Sequence, residues 1–584
     1  EVQPNLISTV QDIFYDKKLM LDYYTNVPLN TILADLLLYQ NYDLQKLAFE
    51  TLYRQHTTHA SMKEIFQTLH FVDNKTAMKN IDTIKQLATK VREYSESTEM
   101  WYNISSESAI EKSHKATQTI LKLAEFLIYE THYEEATPNK LEGDGFHIEF
   151  DLPEDVNFHV DREPDPENQK IMRYLSIFRP IADILEFDLK IRSKNKNKER
   201  LPSTNKLLRA CVLFLARFVR AEKRNQRLVA KYMPILMKHL KRDPDLDLET
   251  VISELFNDNK SLLHDHNAIK NYINAVVRII EELPNSDLNR GKLLLTFKSL
   301  MKYYNKVIKR NQTLVLESLL VKECQTLFID FSKPEAMEII IRDLVTYERE
   351  LSQKNTSVCL SGEIDYLCCL LEVLAVTTET KNATTESKCQ ALFSLDILIK
   401  LYSCSNKCYH LKCSIAEFFY NTYLDTEKDF IHSVHGFANI IQLMAEDLRN
   451  IALEGLGSYD IKNHAGAAPA TRVQAKLVFE RLLPCMIVVM TKPEIYYLPM
   501  FVRPIVMAAR CFEIFLEWTR NPDQIASTES FLNLVNRHLK SELEQFQLDR
   551  KEFSQDASIW EQSPRSPKKH TRSVGSRTTT RRET

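Results

Sequence analysis

The chain has 584 residues, 76 Lys or Arg against 79 Asp or Glu, 44% apolar residues and only nine glycines. So few glycines disfavour folds that use the residue at tight turns, such as propellers, sandwiches and nucleotide-binding βα units. A formal net charge of −3 gives no general attraction to nucleic acid or anionic lipid, and the apolar fraction is ample for a buried core. A mostly helical protein is expected.

In chain order, the N-terminus Glu1-Val2-Gln3-Pro4 lacks both Met and a basic-then-apolar leader, so it reads as a piece of something longer. A helical segment over 1–130 comes first. The stretch 131–169 follows: from Glu134 to Glu167 twelve acidic residues face Lys140 and Arg162, with prolines at 138, 153, 164 and 166. Such a composition buries too little apolar surface to offset its ordering entropy, and predicts a disordered acidic linker. Within it, Phe146 to Phe150 is the best case of strand-like alternation. Lys190 to Arg200 reads as a basic solvated loop.

From 170 to 550, apolar residues recur at helical spacing. The clearest sets are Leu207, Leu208, Cys211, Phe214, Leu215, Phe218, Val219; then Leu248, Val251, Ile252, Leu255, Phe256; then Ala275, Val276, Ile279, Ile280, Leu283; then Leu293, Leu294, Phe297, Leu300, Met301, Tyr304. Short polar breaks such as 242–245 and 283–287 separate them. Many amphipathic helices with short connectors describe an all-α, armadillo/HEAT-like α-solenoid in two helical subdomains, in which neighbours cover each other's apolar stripes. No fixed-period consensus is evident, so any repeat is degenerate. The most apolar run, Leu482 to Met490, is nine residues and holds Pro484, far below the roughly 20 that span a bilayer. No direct membrane insertion is expected. Residues 551–584 read as a disordered basic Ser/Thr-rich tail, with seven Lys or Arg after Ser563. Its Ser563-Pro564, Ser566-Pro567 and final Thr584 read as kinase-accessible positions, at which phosphate would cancel positive charge. The tail has no interleaved aromatics to stack bases, and no nucleic acid partner is expected.

Eleven scattered cysteines read as reduced thiols packed like small apolar residues. Cys404, Cys408, His410 and Cys413 offer zinc-type ligands but lack paired C-x2-C knuckles, so buried thiols are the favoured reading. Asp243 to Glu254 mimics a calcium loop, yet its sixth position is Leu248 where such a loop needs Gly. It reads instead as a helix start, with Asp247 as N-cap. Phosphate-loop, dinucleotide, zinc-protease and nucleophile-elbow motifs are missing. The expectation is a non-enzyme without cofactor in this segment.

Two stretches carry a family resemblance. Asn41 to His56, running on through Met62 to Leu69 and to Ser97-Thr-Glu-Met-Trp101, resembles the ryanodine/inositol-trisphosphate receptor homology domain. Leu370-Leu-Glu-Val-Leu-Ala-Val-Thr-Thr-Glu-Thr-Lys-Asn382, continuing to Cys389, Leu395-Asp-Ile-Leu and Tyr423 to Glu427, is similar to the "LLAVCTEGKN…TE.KC…L…D.I" run of inositol-trisphosphate receptors. Asn225-Gln226 fits the same pattern, and the resemblance covers residues 30–540. It implies the central helical region of a tetrameric, inositol-trisphosphate-gated calcium-release channel, on the cytosolic face of the endoplasmic reticulum or another calcium store. The ligand pocket and the pore lie in modules this sequence lacks. The implied role is to transmit conformational change from the ligand-binding module to the pore, with other channel domains and subunits as partners and kinases at the tail. The competing reading is a stand-alone armadillo-like scaffold that binds proteins. Trp101 is expected to anchor the first subdomain; Leu370, Leu371, Leu374, Phe418 and Phe419 are expected to knit the second.

Overall fold

The computed structural model describes residues 29–56, 75–97, 107–128, 163–194, 202–304, 306–320, 327–331, 333–353, 360–426, 434–454 and 469–543. They form helices α1 Leu29–Leu36, α2 Tyr42–His56, α3 Lys75–Glu96, α4 Glu107–Glu125, α5 Pro166–Tyr174, α6 Phe178–Lys194 and α7 Pro202–Val219. Then come α8 Lys223–Val229, α9 Met233–Arg242, α10 Leu248–Phe256, α11 Lys260–Leu263, α12 His266–Glu282 and α13 Asn289–Met301. A two-stranded antiparallel hairpin, β1 Lys302–Tyr303 and β2 Lys306–Val307, precedes α14 Lys309–Leu319. The remainder is α15 Pro334–Gln353, α16 Gly362–Thr378, α17 Ala383–Leu392, α18 Leu395–Cys404, α19 Tyr409–Phe419, α20 Val434–Glu454, α21 Pro469–Ala475, α22 Leu483–Met490, α23 Pro493–Tyr496, α24 Pro499–Trp518 and α25 Pro522–His538. Two π-helical turns, Tyr420–Leu424 and Lys476–Leu482, extend α19 and join α21 to α22. The fold is all-α, as the periodicity predicts. The alternation at 146–150, the linker before residue 163 and the tail lie outside the described residues.

Two compact units divide within α7, between Phe214 and Leu215. In the first, α3 packs on α4, α5 and α6. Here the acidic stretch ends differently from expectation. Asp165 caps α5, accepting from the Glu167 and Asn168 amides at 2.9 and 3.1 Å, with Pro166 opening the helix. Its own amide donates to Leu127 O at 2.9 Å, beside an Ile128–Pro164 bridge. Residues 163–169, read as linker, are therefore docked against the end of α4. Helices α5 and α6 accordingly group with the N-terminal helices instead of opening the 170–550 array.

The second unit is a stack of the armadillo kind. Helices α10, α13, α16 and α19 pack each on the next, and α19 packs on the Lys476–Leu482 turn. They begin at Leu248, Asn289, Gly362 and Tyr409, spacings close to the armadillo period of about 40–47 residues, except where α15 is inserted. The four stripes read from sequence supply much of this core: Phe218, Val251, Leu255, Val276, Ile280, Leu294, Phe297 and Leu300 are all fully buried. One stripe overruns. Tyr304, expected on the α13 face, lies beyond the helix in the hairpin turn at φ 44° and is 56% exposed.

Close approach between layers uses one of the few glycines. A Cβ on Gly362 would lie 2.2 Å from the Ser286 carbonyl oxygen, a backbone atom with no flexible end to yield. Gly362→Ala is expected to destabilise the second unit despite the roughly 0.5–1 kcal/mol that Ala gains over Gly inside a helix. Leu371→Ala, which empties a fully buried site on α16, should cost about 2–5 kcal/mol. Chemical denaturation of the two variants checks both, as a lowered unfolding midpoint.

Candidate functional site: a helical stack with buried amide clasps

The five residues expected to knit the second subdomain, Leu370, Leu371, Leu374, Phe418 and Phe419, are each 0% exposed on α16 and α19. Phe418 meets Phe393 edge-on at 5.6 Å, and Phe419 stacks on Tyr423 at 6.1 Å. Trp101, Ser563, Ser566 and Thr584 lie outside the described residues. Cys408 and Cys413 are buried, Cys404 is half-buried and His410 is exposed. No three of these four bring ligand atoms within 4.8 Å of one another. Burial pushes the Cys408 thiol up to about 11 and that of Cys413 up to about 12, away from the thiolate that metals and electrophiles take. Asp247 stands at the N-cap of α10, but at φ 55° its side chain makes no capping bond and turns instead to Lys292 Nζ at 3.2 Å.

The polar interior is organised around a signal the hydrophobic pattern does not carry. The tetrapeptide Lys-Arg-Asn-Gln occurs twice, at 223–226 and 309–312. Each copy opens a helix, α8 and α14, and in each the Asn and Gln are at most 1% exposed. Asn225 Nδ2 donates to Phe218 O at 2.8 Å, and Asn311 Nδ2 to Leu300 O at 2.8 Å. Both acceptors are the penultimate residue of the preceding helix. Gln226 Nε2 donates to Glu254 O and Asn257 O at 2.8 and 2.9 Å; Gln312 Nε2 donates to Val376 O and Glu379 O at 2.7 and 2.9 Å. Both acceptor pairs are the C-cap and the residue three before it, on α10 and α16. Each Gln Oε1 then accepts from an Asn at 2.9 Å, Asn259 or Asn382, which is the N-cap of the next helix.

Every helix end leaves four carbonyls without an intrahelical partner. Buried, each unmet group costs about 1–3 kcal/mol. One glutamine here meets two of them on one helix while fixing the cap of another. The same device begins a third time in the first unit, where Asn168 Nδ2 donates to Phe126 O, just past α4, at 2.9 Å, beside a buried Gln169. Asn168, Asn225 and Asn311 each hold the third position of their helix.

Ion pairs run across the layers of the second unit. Lys292 of α13 reaches Asp247 at 3.2 Å and Glu249 at 3.9 Å; Lys298 pairs with Glu372 of α16 at 2.9 Å; Glu417 of α19 pairs with Arg481 at 2.9 Å. Deeper still, Lys412 bonds both carboxylate oxygens of Asp447 at 2.6 and 2.8 Å, with the two side chains 5% and 12% exposed. Burial pushes upward on both Glu249 and Glu372, with opposite outcomes. At Glu372 the bonded Lys298 ammonium overcomes burial, and its carboxyl stays below the ordinary value. At Glu249 the looser Lys292 does not, and burial lifts the carboxyl from 4.5 to about 7.

The pH consequence of Glu249 follows from sign. The folded state holds its proton more tightly than the unfolded chain, so its contribution is complete below pH 4.5 and declines as pH rises to about 7. Glu249→Gln should remove that decline, which is on the order of 3 kcal/mol, and unfolding midpoints of both proteins across pH 4.5–7.5 measure it. Lys412→Met, which strands Asp447, should lose about 3–5 kcal/mol, and replacing both partners by apolar residues should return most of it. The same unfolding measurement separates the two variants.

Residues 149–330 match the RIH domain family (RYDR_ITPR). That match begins downstream of the 41–101 stretch whose motifs carry the first resemblance, and it takes in all three Asn-Gln positions. The chain is also 22% identical over 305 residues to the inositol 1,4,5-trisphosphate receptor itr-1 of Caenorhabditis elegans. The alignment takes in 51% of this chain and 10% of that receptor. Among solved structures, that of SYS-1 aligns over 91% of this chain and 86% of its own, with TM-score 0.40 and 13% identity. Residues 149–330 thus resemble the RIH domain family, and about half of the chain is similar to a small part of an inositol-trisphosphate receptor.

Proposed function

We propose that this chain is the cytosolic coupling segment of an inositol-trisphosphate-gated calcium-release channel, passing conformational change from a ligand-binding module to the pore. The observation that carries the reading is the RIH match together with the receptor relative. The unbroken packing from α10 through α13, α16 and α19 supports it, because packed helices move by small shear and pass displacement along the stack. Among the described residues no helix is long and apolar enough to cross a membrane. On this reading the pore belongs to other parts of the channel, the partners are other domains and subunits of a tetramer, the setting is the cytosolic face of a calcium store, and kinases act at Ser563, Ser566 and Thr584.

The test is made in the full-length channel. Glu372→Gln keeps the side chain's shape while removing the charge that holds Lys298 across α13 and α16. Coupling free energies of about 1–3 kcal/mol correspond to about 5–150-fold. The expected result is inositol-trisphosphate binding by the ligand module changed less than twofold, with the concentration for half-maximal calcium release shifted at least about fivefold. Binding and release both unchanged, in a variant that accumulates normally, would refute the coupling role.

A further inference from the structure

We infer that the second unit carries two latched joints, each a left-handed turn built without glycine and held by one buried glutamine, Gln226 or Gln312. The inference goes beyond the coupling role and stands on geometry alone. Among the described residues seven non-glycines have positive φ. Five of them belong to the turns that flank the two clasps. Ala221 (57°) and Tyr304 (44°) lie between the helix that feeds each Asn and the helix that bears the Asn-Gln pair. Asp258 (54°) lies between α10 and α11, and Thr380 (66°) with Lys381 (58°) lies between α16 and α17.

The left-handed conformation costs an L-residue about 1–2 kcal/mol, and for β-branched Thr380 it is an outlier that something must enforce. The enforcing contacts straddle the turn. Gln312 holds Glu379 O on one side of Thr380 and Asn382 Nδ2 on the other; Gln226 holds Asn257 O and Asn259 Nδ2 on either side of Asp258. A single amide therefore pins both ends of a strained turn. Released, the turn relaxes toward negative φ, and the helix that follows, α11 or α17, changes direction relative to α10 or α16. The two joints are equivalent in every contact named, although 28 residues separate Gln226 from Glu254 and 64 separate Gln312 from Val376. The longer separation holds the inserted α15.

Backbone amide exchange on the complete 584-residue chain tests this. Gln312→Leu is expected to speed exchange of the 379–383 amides about tenfold or more while leaving 258–263 unchanged, and Gln226→Leu is expected to do the reverse. Adding Thr380→Gly to Gln312→Leu should return part of the lost protection, because glycine occupies the left-handed region without the penalty. Thr380→Gly alone keeps the latch intact and should slow exchange there about threefold. Unchanged or uniformly faster exchange across the unit in the glutamine variants, no recovery in the double variant, or faster exchange in Thr380→Gly alone would each overturn the inference. If Gln312→Leu does not fold, the Thr380→Gly result decides.

Discussion

A stack of short helices buries its helix ends, and every buried end exposes carbonyls that no residue of the same helix can satisfy. This constraint shapes the second unit more than its apolar packing does, because apolar stripes tolerate rearrangement and unmet carbonyls do not. Many helices end on a glycine that turns the chain and meets its own carbonyls. With nine glycines in 584 residues, this chain takes another route. Side-chain amides arrive from a different helix: Asn225 and Asn311 serve the helix before, Gln226 and Gln312 the helix two further on. The turn residues then adopt left-handed conformations without glycine, and the amides that meet the carbonyls also hold those turns.

Charge and packing act on the same layers. Lys298 lies between α13 and α16 with Glu372, and Ser414 Oγ of α19 donates to the other Glu372 oxygen at 3.4 Å, so one carboxylate touches three consecutive layers. Lys292, on the same helix α13, reaches back to the α10 layer, where it bonds Asp247 at 3.2 Å and approaches Glu249 only to 3.9 Å. The difference explains why two buried glutamates in similar surroundings titrate in opposite directions.

Much of the helical architecture was legible because burial repeats with the helical period: the stripes at 207–219 and 248–256 appear as read. What periodicity misses is set by contacts distant in sequence. The spacing extends the stripe to Tyr304 as helix, but the hairpin pairing of Lys302 with Val307 and the Tyr304 amide donating to Asp258 Oδ1 end it there. The acidic stretch looked like solvent-borne chain to its end, yet Asp165 is a cap and Asn168 a clasp. The repeated Lys-Arg-Asn-Gln was visible as text, but an Asn-Gln pair at a helix start usually reads as surface. Its partners lie tens of residues on and are backbone atoms, which leave no compositional trace. The run that resembles "AVCTEGKN" has Thr380 in place of that glycine, and the φ of 66° gives the physical reason a glycine fits there.

The two clasps are also joined to each other, which bears on how displacement would pass along the unit. Asn311 Nδ2 donates not only to Leu300 O but to Leu263 O at 3.1 Å, the last residue of α11. Helix α11 is the short helix capped by Asn259, the partner of Gln226. Lys223, first residue of the first motif, reaches the Tyr304 hydroxyl at 2.8 Å in the turn before the second. The polar contacts thus run from Phe218 through Gln226, Asn259, Leu263, Asn311 and Gln312 to Asn382 and the start of α17. Apolar layers resist compression but slide; directional bonds resist sliding. On the proposed coupling role, a rotation of one layer would pass to the next where directional bonds resist sliding, and Gln226 and Gln312 place such bonds between α8 and α10 and between α14 and α16.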